Sequence, residues 1–560
     1  MKKFIVLFIF CFLNNFEQNN LFESEANFLH TNSTTLKKKK KLLYKIYCLN
    51  ASTKEISTIS KVAYVEIINN QGESVSRNKI GLNNGIGANE IFINTNFNTG
   101  NYKLIAYTNW MLNNSSAQYF ETEITIINPF LPLNNSTTDS ENKYIDNSKI
   151  TTNSEKINEV IFQNNKKSYL KREQVSLNIL DNTEKFKNGN YSISVRKIDE
   201  LNFNKNQTST TFSQTKLDEF VNENSIIYLP EIRGEILSGK IISPNGSKEI
   251  KNQHIALSVV GEPFDFKIVK TNANGEFYFT LEKDINQSNI QLQLVENNIT
   301  DFQISIQPKA KITINSEFSK LHLTEKNIKP IEDRLIASQI VNAYSNVDSL
   351  IVDKGNKYPF YKYAAKEYIL DDFKRFPSFK ETIIEIIPDV YFKKNNDYYS
   401  LHIKDYITGG ESFGSALVLV DGLMLQDVSE LFEYNTKNIY KFNVINKAYS
   451  YGSKIFSGVI AISTFSKMYE SKSNLILPLT IERCKEQIRF SNKVYDPNLD
   501  FNRIPDYRYQ LAWETNLKLE KNNTSLSFFT SDMEGVYEIN LEGFSKDGQP
   551  LSLKEYFEVK

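Results

Sequence analysis

The 560-residue chain carries 66 Lys+Arg against 66 Asp+Glu, so no net field recruits nucleic acid or an anionic lipid surface. With 40% hydrophobic and 24% charged residues it has the balance of globular domains with real cores, and its length predicts roughly three to five of them. Its cysteines, Cys11, Cys48 and Cys484, are too few for a disulfide scaffold.

At the N-terminus, Lys2-Lys3 precede the apolar run Phe4–Leu13, which predicts a secretory signal over residues 1–20 and is too short to span a bilayer. Cys11 lacks the small preceding residues that a lipid-attachment site needs. Once it leaves with the signal, Cys48 and Cys484 are expected as two buried thiols, with one interdomain disulfide as the alternative. No later segment reaches the apolar length of a transmembrane helix.

Residues 27–130 read as a β-sandwich. Ser60–Ile68 is a strand closed by Asn70-Gln71-Gly72, and Gly100–Thr108 sets Tyr102, Leu104 and Ala106 on one face. Tyr119–Ile127 follows and stops at Asn128-Pro129. These strands, with Leu29-His30-Thr31-Asn32 and Asn109-Trp110-Met111, resemble the MG2-type macroglobulin domain of Bacteroidota envelope proteins. Where that family carries Gly-Glu, this chain has Lys37–Lys41, expected as an exposed edge or turn that deters strand-on-strand aggregation. A membrane-binding patch is the weaker alternative.

Residues 131–159 are polar and Ser/Thr/Asn-rich, an exposed linker. Tyr169–Leu177 and Asn190–Val195 resemble a second macroglobulin-like sandwich over 160–228. In 229–310, Gly234–Ile241 and Thr271–Phe279 place Asn274-Gly275 in a tight turn and aim Phe277 and Phe279 into one core. That pattern resembles carboxypeptidase-regulatory-like β-sandwiches, which implies a domain that stabilises or binds. Residues 311–376 lengthen the apolar period. Leu335, Ile336, Ile340, Val341 and Tyr344 predict one helix, and Tyr368, Ile369, Phe373 and Phe376 a second, stopped by Pro377.

The stretch 377–470 opens on an amphipathic helix expected to bury Ile383, Ile384 and Ile387. The buried run Ala416–Val420 ends in an Asp421-Gly422 turn, and Tyr451-Gly452-Ser453-Lys454 leads to a second strand, Val459–Ser463. These motifs resemble the plug domain of TonB-dependent outer-membrane transporters. The chain after Thr464 is too short for a barrel of many strands of about ten residues each. Residues 471–560, with Trp513 and Phe529-Thr530-Ser531-Asp532 leading to Gly535-Val536-Tyr537, resemble a C-terminal macroglobulin-type β-sandwich. Ending on such a domain, the chain reads as complete and not as a truncated receptor.

The fold class expected is therefore mainly β: serial immunoglobulin-like or macroglobulin-like β-sandwiches plus one α+β plug-like domain. Catalytic signals are faint. Arg483-Cys484-Lys485-Glu486-Gln487 echoes the Gly-Cys-Gly-Glu-Gln thioester of macroglobulins, but Arg483 and Lys485 replace the glycines that permit its tight turn. His30, His254, His322 and His402 lack metal-ligand spacing and are expected to be structural or exposed. Asp371-Asp372 are expected on a solvated helix face, Asp421 in the turn with Gly422. Tyr107, Trp110 and Tyr119 are expected in a core before a glycan platform. No enzyme is predicted, and no catalytic, cofactor or metal residues are assigned; no cofactor, nucleic acid or small-molecule substrate is expected. What the resemblance implies is a non-catalytic binding or scaffold protein of the envelope, exported to the periplasm or the outer-membrane surface. It would be peripheral to the membrane and partnered with an outer-membrane β-barrel protein or complex. The alternative is an adhesin-like surface module for proteins or glycans; a protease trap is disfavoured.

Overall fold

The computed structural model describes residues 23–560 except 114–118, 130–159, 165, 200, 202–203, 205–206, 216–226, 245, 247, 283–286, 296–300, 309–311, 313, 315, 345–349, 352–357, 397, 405–414, 486, 496–502 and 521–523. The expected signal segment and the 131–159 linker lie outside the described residues. The fold is mostly β and divides into two compact units. One comprises Met1–Ile232, Ile312–Val352 and Glu486–Lys560, the other Arg233–Lys311 and Asp353–Lys485.

In the first unit, Glu25–Thr31, Lys41–Asn50 and Ile86–Phe92 form one sheet of a sandwich. The facing sheet runs in the order Thr35–Lys37, Phe120–Ile127, Gly100–Tyr107, Val62–Ile68, Ser74–Gly81. Alternation puts Tyr102, Leu104 and Ala106 in one core with Phe28, Tyr44 and Ile46. The lysine run departs from a solvated turn at its first member. Lys39 is exposed at the turn with φ 61°, and Lys41 is exposed too. Lys37, however, ends a buried strand paired in parallel with Phe120–Ile127, and its ammonium donates to the Arg334 carbonyl at 3.1 Å. Burial, with Lys40 and Arg334 nearby, brings its pKa down to about 7.

Residues 160–228 and 471–560 do not make two sandwiches; they share one. Asn190–Lys197 lies between Gln510–Leu517 and Gly535–Phe544, in a sheet completed by Pro550–Val559 and Ser168–Tyr169. The facing sheet is Thr524–Phe529, Gln174–Asp181, Val160–Asn164. Ile193 opposes Leu541, Val195 opposes Ile539, and Val175 opposes Phe528. The reason is that neither stretch has strands enough to cover its own apolar face. Together they enclose Val175, Leu177, Ile193, Ile539, Leu541 and Phe557 in one core. The long connection costs little extra, because loop-closure entropy rises only with the logarithm of length. The start of the 471–560 stretch goes elsewhere: Leu477–Thr480 pairs with Asn289–Leu294 in the second unit.

A charged knot ties the two halves of this sandwich. Arg172 grips both carboxylate oxygens of Asp532 at 2.6 Å, and Asp532 also accepts the Asp506 amide at 2.7 Å. Arg508 in turn donates to both oxygens of Asp506, from Nε at 2.8 Å to Oδ1 and from Nη2 at 2.7 Å to Oδ2. Burial raises both carboxyls, but the guanidinium donors outweigh it and hold them below the usual carboxylate range.

In the second unit, Glu276–Leu281, Glu235–Ile242 and Gln303–Ile306 face a sheet of Asp265–Lys270, His254–Val259, Asn289–Leu294 and Leu477–Thr480. Phe277 and Phe279 enter its core from alternate positions, after a turn in which Gly275 adopts φ 77°. A Cβ there would sit 2.6 Å from the Ile241 carbonyl oxygen. The other module is a mixed sheet in the order Lys366–Ile369, Ile439–Ile445, Val459–Thr464, Leu417–Val420, Leu423–Met424. The helix Phe379–Ile386 starts from a Ser378–Glu381 capping box and buries Phe379, Ile383 and Ile386 against it.

Two expectations about helices need correction. Ile384 is 57% exposed, because it lies about 100° round the helix from Ile383. The second predicted connector helix is absent: Lys366–Ile369 is a strand on Ile439–Ile445, and Asp371 and Asp372 sit in a one-turn 3-10 segment. Four residues at helical spacing were too short a signal to outweigh strand pairing. The first connector helix forms over Ile328–Tyr344 as its apolar spacing predicts, with Ala337 and Ser338 fully buried and Leu335, Ile340 and Val341 half-buried.

Cutting the chain after residue 500 removes both neighbours of Asn190–Lys197. We expect hydrogen exchange to report near-complete loss of amide protection over 174–197, with 62–68 still protected. Protection unchanged over 174–197 would refute the shared sandwich.

Candidate functional site

Two polar centres are built into this framework. In the second unit, Val420 pairs with Leu423, so Asp421 and Gly422 alone make the hairpin turn, with φ 49° and 87°. A Cβ on Gly422 would lie 2.5 Å from Phe264. The Asp421 carboxylate faces inward and accepts the Thr464 amide at 2.8 Å, the Thr464 hydroxyl at 2.5 Å and the Tyr469 amide at 3.1 Å. Burial raises its pKa and these donors oppose the rise. Asp421 therefore clamps the parallel strand pair Leu417–Val420 and Val459–Thr464 at its end. Tyr451 donates to the Phe266 carbonyl at 2.5 Å and packs 4.2 Å from the Phe360 ring.

Both faces of this mixed sheet are occupied. Val418, Val420, Phe442 and Ile460 pack on the helix side with Phe379 and Ile383. Leu417, Leu419, Val459 and Ala461 pack on the other side with Ala256, Phe266 and Ile268 of the neighbouring sandwich. The Leu423–Met424 edge is covered too, since Ser258 accepts the Met424 amide at 3.2 Å and Gln293 donates to its carbonyl at 2.7 Å.

The first unit holds a buried seam between its two sandwiches. Phe28, Tyr47, Phe212 and Phe544 form an aromatic cluster with centroids 5.5–6.5 Å apart. Around it, Tyr47 donates to the Glu542 carbonyl at 3.1 Å, and Lys45 donates to the Tyr191 carbonyl at 2.9 Å and to Asn190. Burial takes the Lys45 pKa well below the usual lysine range. The Glu542 carboxylate accepts from the Ser209 amide and hydroxyl and from the Ser552 hydroxyl, each at 2.8 Å. Burial pushes its pKa up to about 7, against those donors and Lys554.

His30 sits in the same seam with Nδ1 2.7 Å from the Ser192 hydroxyl, Nε2 3.4 Å from the Asn540 amide nitrogen, and its ring 5.0 Å from Trp513. Burial, with Lys45 and Lys554, pushes its pKa down to about 3, so the ring is neutral. His30 Nδ1 and the Ser192 hydroxyl share one hydrogen bond, and Ser192 also meets the Tyr47 hydroxyl at 3.0 Å. Glu542 bonds Ser209 and Ser552 and not the imidazole, so the three side chains do not form a Ser-His-Glu relay. The cleft lined by His30, Phe120, Gln207, Asn540 and Glu542 is too narrow for a water molecule. Ser192, His30 and Glu542 all contribute hydrogen bonds in this seam.

The remaining candidates fall into structural roles. Cys48 and Cys484 are buried thiols outside any disulfide. Arg483 pairs with Glu235 at 3.2 Å, and the Gln487 amide donates to the Gly81 and Ile86 carbonyls. Tyr107 is buried with its hydroxyl on Glu66, and the Trp110 indole donates to the Glu23 carbonyl at 3.1 Å. His402 stacks on Tyr391 with centroids 5.1 Å apart, and His254 Nε2 meets the Ser453 carbonyl at 3.2 Å. Among the described residues no three His, Cys, Asp or Glu side chains are grouped to hold a metal, and no helix is long and apolar enough to cross a membrane. The seam was not legible in the sequence: Lys45, Ser192 and Glu542 sit in ordinary alternating strands, and only the fold brings them together.

No family model matches the chain, and no curated protein matches it. The solved structures it is similar to include alpha-2-macroglobulins and an adhesin. The native conformation of E. coli alpha-2-macroglobulin shares 10% identity over 96% of this chain and 40% of that one, with a TM-score of 0.24. Salmonella alpha-2-macroglobulin reacted with methylamine shares 9% over 96% and 39%, with a TM-score of 0.23. The Yersinia pseudotuberculosis adhesin InvE shares 9% over 50% of this chain and 57% of that one, with a TM-score of 0.13. The chain thus spans about two fifths of the macroglobulins' length. At these scores the likeness carries no functional argument.

Glu542 gives a signed pH prediction. Its folded pKa lies above the ordinary 4.5, so its contribution to stability is complete below pH 4.5 and is lost as pH rises through about 7. Relative to Glu542→Gln, the wild type should lose about 3 kcal/mol across that interval, read by urea unfolding at stepped pH. A difference between the two proteins that stays flat with pH would contradict a buried, raised carboxyl. In the hairpin, Gly422→Ala should cost at least about 1 kcal/mol by the same measurement, through left-handed strain and the contact with Phe264.

Proposed function

We propose that this chain is a non-catalytic scaffold protein of the cell envelope, acting as an accessory subunit of an outer-membrane β-barrel complex. The observation that carries the reading is the α+β module over Lys366–Thr464, with its clamped Asp421-Gly422 hairpin and parallel Leu417–Val420/Val459–Thr464 pair. These are the residues that resemble a TonB-dependent plug. Among the described residues no sheet exceeds five strands, fewer than the eight or more of outer-membrane barrels, so on this reading the barrel is a partner's. A non-catalytic role is supported by where the reactive groups lie: His30, Ser192 and Glu542 are buried, with His30 bonded to Ser192 and Glu542 to Ser209. With both sheet faces covered, contact with a barrel falls to the rim of the module. There the hairpin Val390–Asn395/Tyr398–Ile403 presents Tyr398, 67% exposed.

A second reading, an adhesin-like surface module, draws on Tyr363, 86% exposed beside exposed Tyr358, and not on the buried Tyr107 and Trp110. Exposed aromatic rings of this kind stack on sugars and partner chains.

A mild-detergent pull-down of the tagged protein from its own membranes, read by mass spectrometry, separates the two. A stoichiometric barrel protein is the expected result. Recovery of the chain alone, with glycan binding that falls at least about ten-fold in Tyr363→Ala, would replace the scaffold reading with the second.

A further inference from the structure

Residues 316–344 belong to the first unit although the chain on either side of Ile312–Val352 belongs to the second. Polar contacts dominate their attachment. The Ser319 amide donates to Glu123 at 2.9 Å, the Asn101 amide donates to the Ser319 carbonyl at 2.9 Å, and Ser316 donates to Glu121. Lys103 lies 5.5 Å over the Phe318 ring. Farther along, Arg334 holds Asp199 with two bonds of 2.5 Å, and its Nη1 donates to the Thr35 carbonyl at 3.2 Å. Lys37 closes the contact by donating to the Arg334 carbonyl at 3.1 Å.

Apolar burial is partial. Of the seventeen residues in Ile328–Tyr344 only Ala337 and Ser338 are buried, while Ile328, Ile336 and Tyr344 are 54%, 50% and 56% exposed. Helices in proteins draw most of their stability from packing an apolar face; here Ile331, Leu335, Ile340 and Val341 are half-buried and belong to neither sandwich core of the unit. Arg334 also bonds the backbone of Thr35–Lys37, whose strand is the outermost of its sheet and, among the described residues, pairs with Phe120–Ile127 alone.

We infer that residues 316–344 are a detachable strap, latched by Arg334 on Asp199 and closed over the Thr35–Lys37 sheet edge. Opening leaves both sandwiches of the unit intact, bares that edge and frees the apolar side chains of the helix. This does not depend on the identity of any partner.

Hydrogen exchange of the full chain tests it. Asp199→Asn should speed exchange of the 328–344 amides by about ten-fold, the scale of a lost charge-assisted bond, with Val62–Ile68 and Asn190–Lys197 unchanged. Arg334→Gln should do the same, and the double variant should add nothing further. Helix amides that keep the wild-type rate, or that accelerate in step with those strands, would overturn the strap. If either variant fails to fold, wild-type exchange in sub-denaturing urea decides. The strap amides should open with a weaker urea dependence than the strands, and an equal dependence would make the helix an integral part of the sandwich.

Discussion

The pairing of Asn190–Lys197 with strands from the far end of the chain is the constraint on which the first unit depends. Ile193 and Val195 find their opposite residues in Leu541 and Ile539, and the core of Val175, Leu177 and Phe557 exists only when both stretches are present. The Arg172–Asp532–Asp506–Arg508 knot works at the same junction. Because Asp506 and Asp532 are held below the usual carboxylate range, their contribution is present above that range and is lost as pH falls through their lowered values. Glu542 works in the opposite direction. The sandwich is thus loosened from the acid side at one end and from the neutral side at the seam.

The seam gives its buried ionisable residues their partners. A buried polar group is tolerated when each donor and acceptor is matched, and the matches here run between sandwiches: Lys45 to Tyr191, Tyr47 to Glu542, His30 to Ser192. Such bonds are directional where apolar packing is not. They fix the register of one sandwich on the other, while Phe28, Phe212 and Phe544 supply the apolar contact.

Local patterns were legible wherever a short alternating run met a turn. Tyr102, Leu104 and Ala106 share a core face, Phe277 and Phe279 share another, and Asp421-Gly422 is a two-residue hairpin. Long-range information was not. Nothing in Tyr191–Val195 announces that its neighbours are Leu541 and Trp513, because strands carry a period and a face but no address. The helix Ile328–Tyr344 shows the converse limit: its apolar spacing predicts the helix but not the Arg334–Asp199 contact that latches it. Lys37 likewise looks like surface and is buried, because a parallel strand pairing takes it inside.

The split sandwich also has a consequence in time. During synthesis Asn190–Lys197 appears some three hundred residues before Gln510–Leu517. At about 5–20 residues per second the half-sandwich waits roughly 15 to 60 s with its strand edges open. Exposed edges of that kind invite pairing with other chains, so the interval is one of exposure to aggregation. The inserted second unit, with its own separate cores, is free to fold while the first sandwich waits for its closing strands.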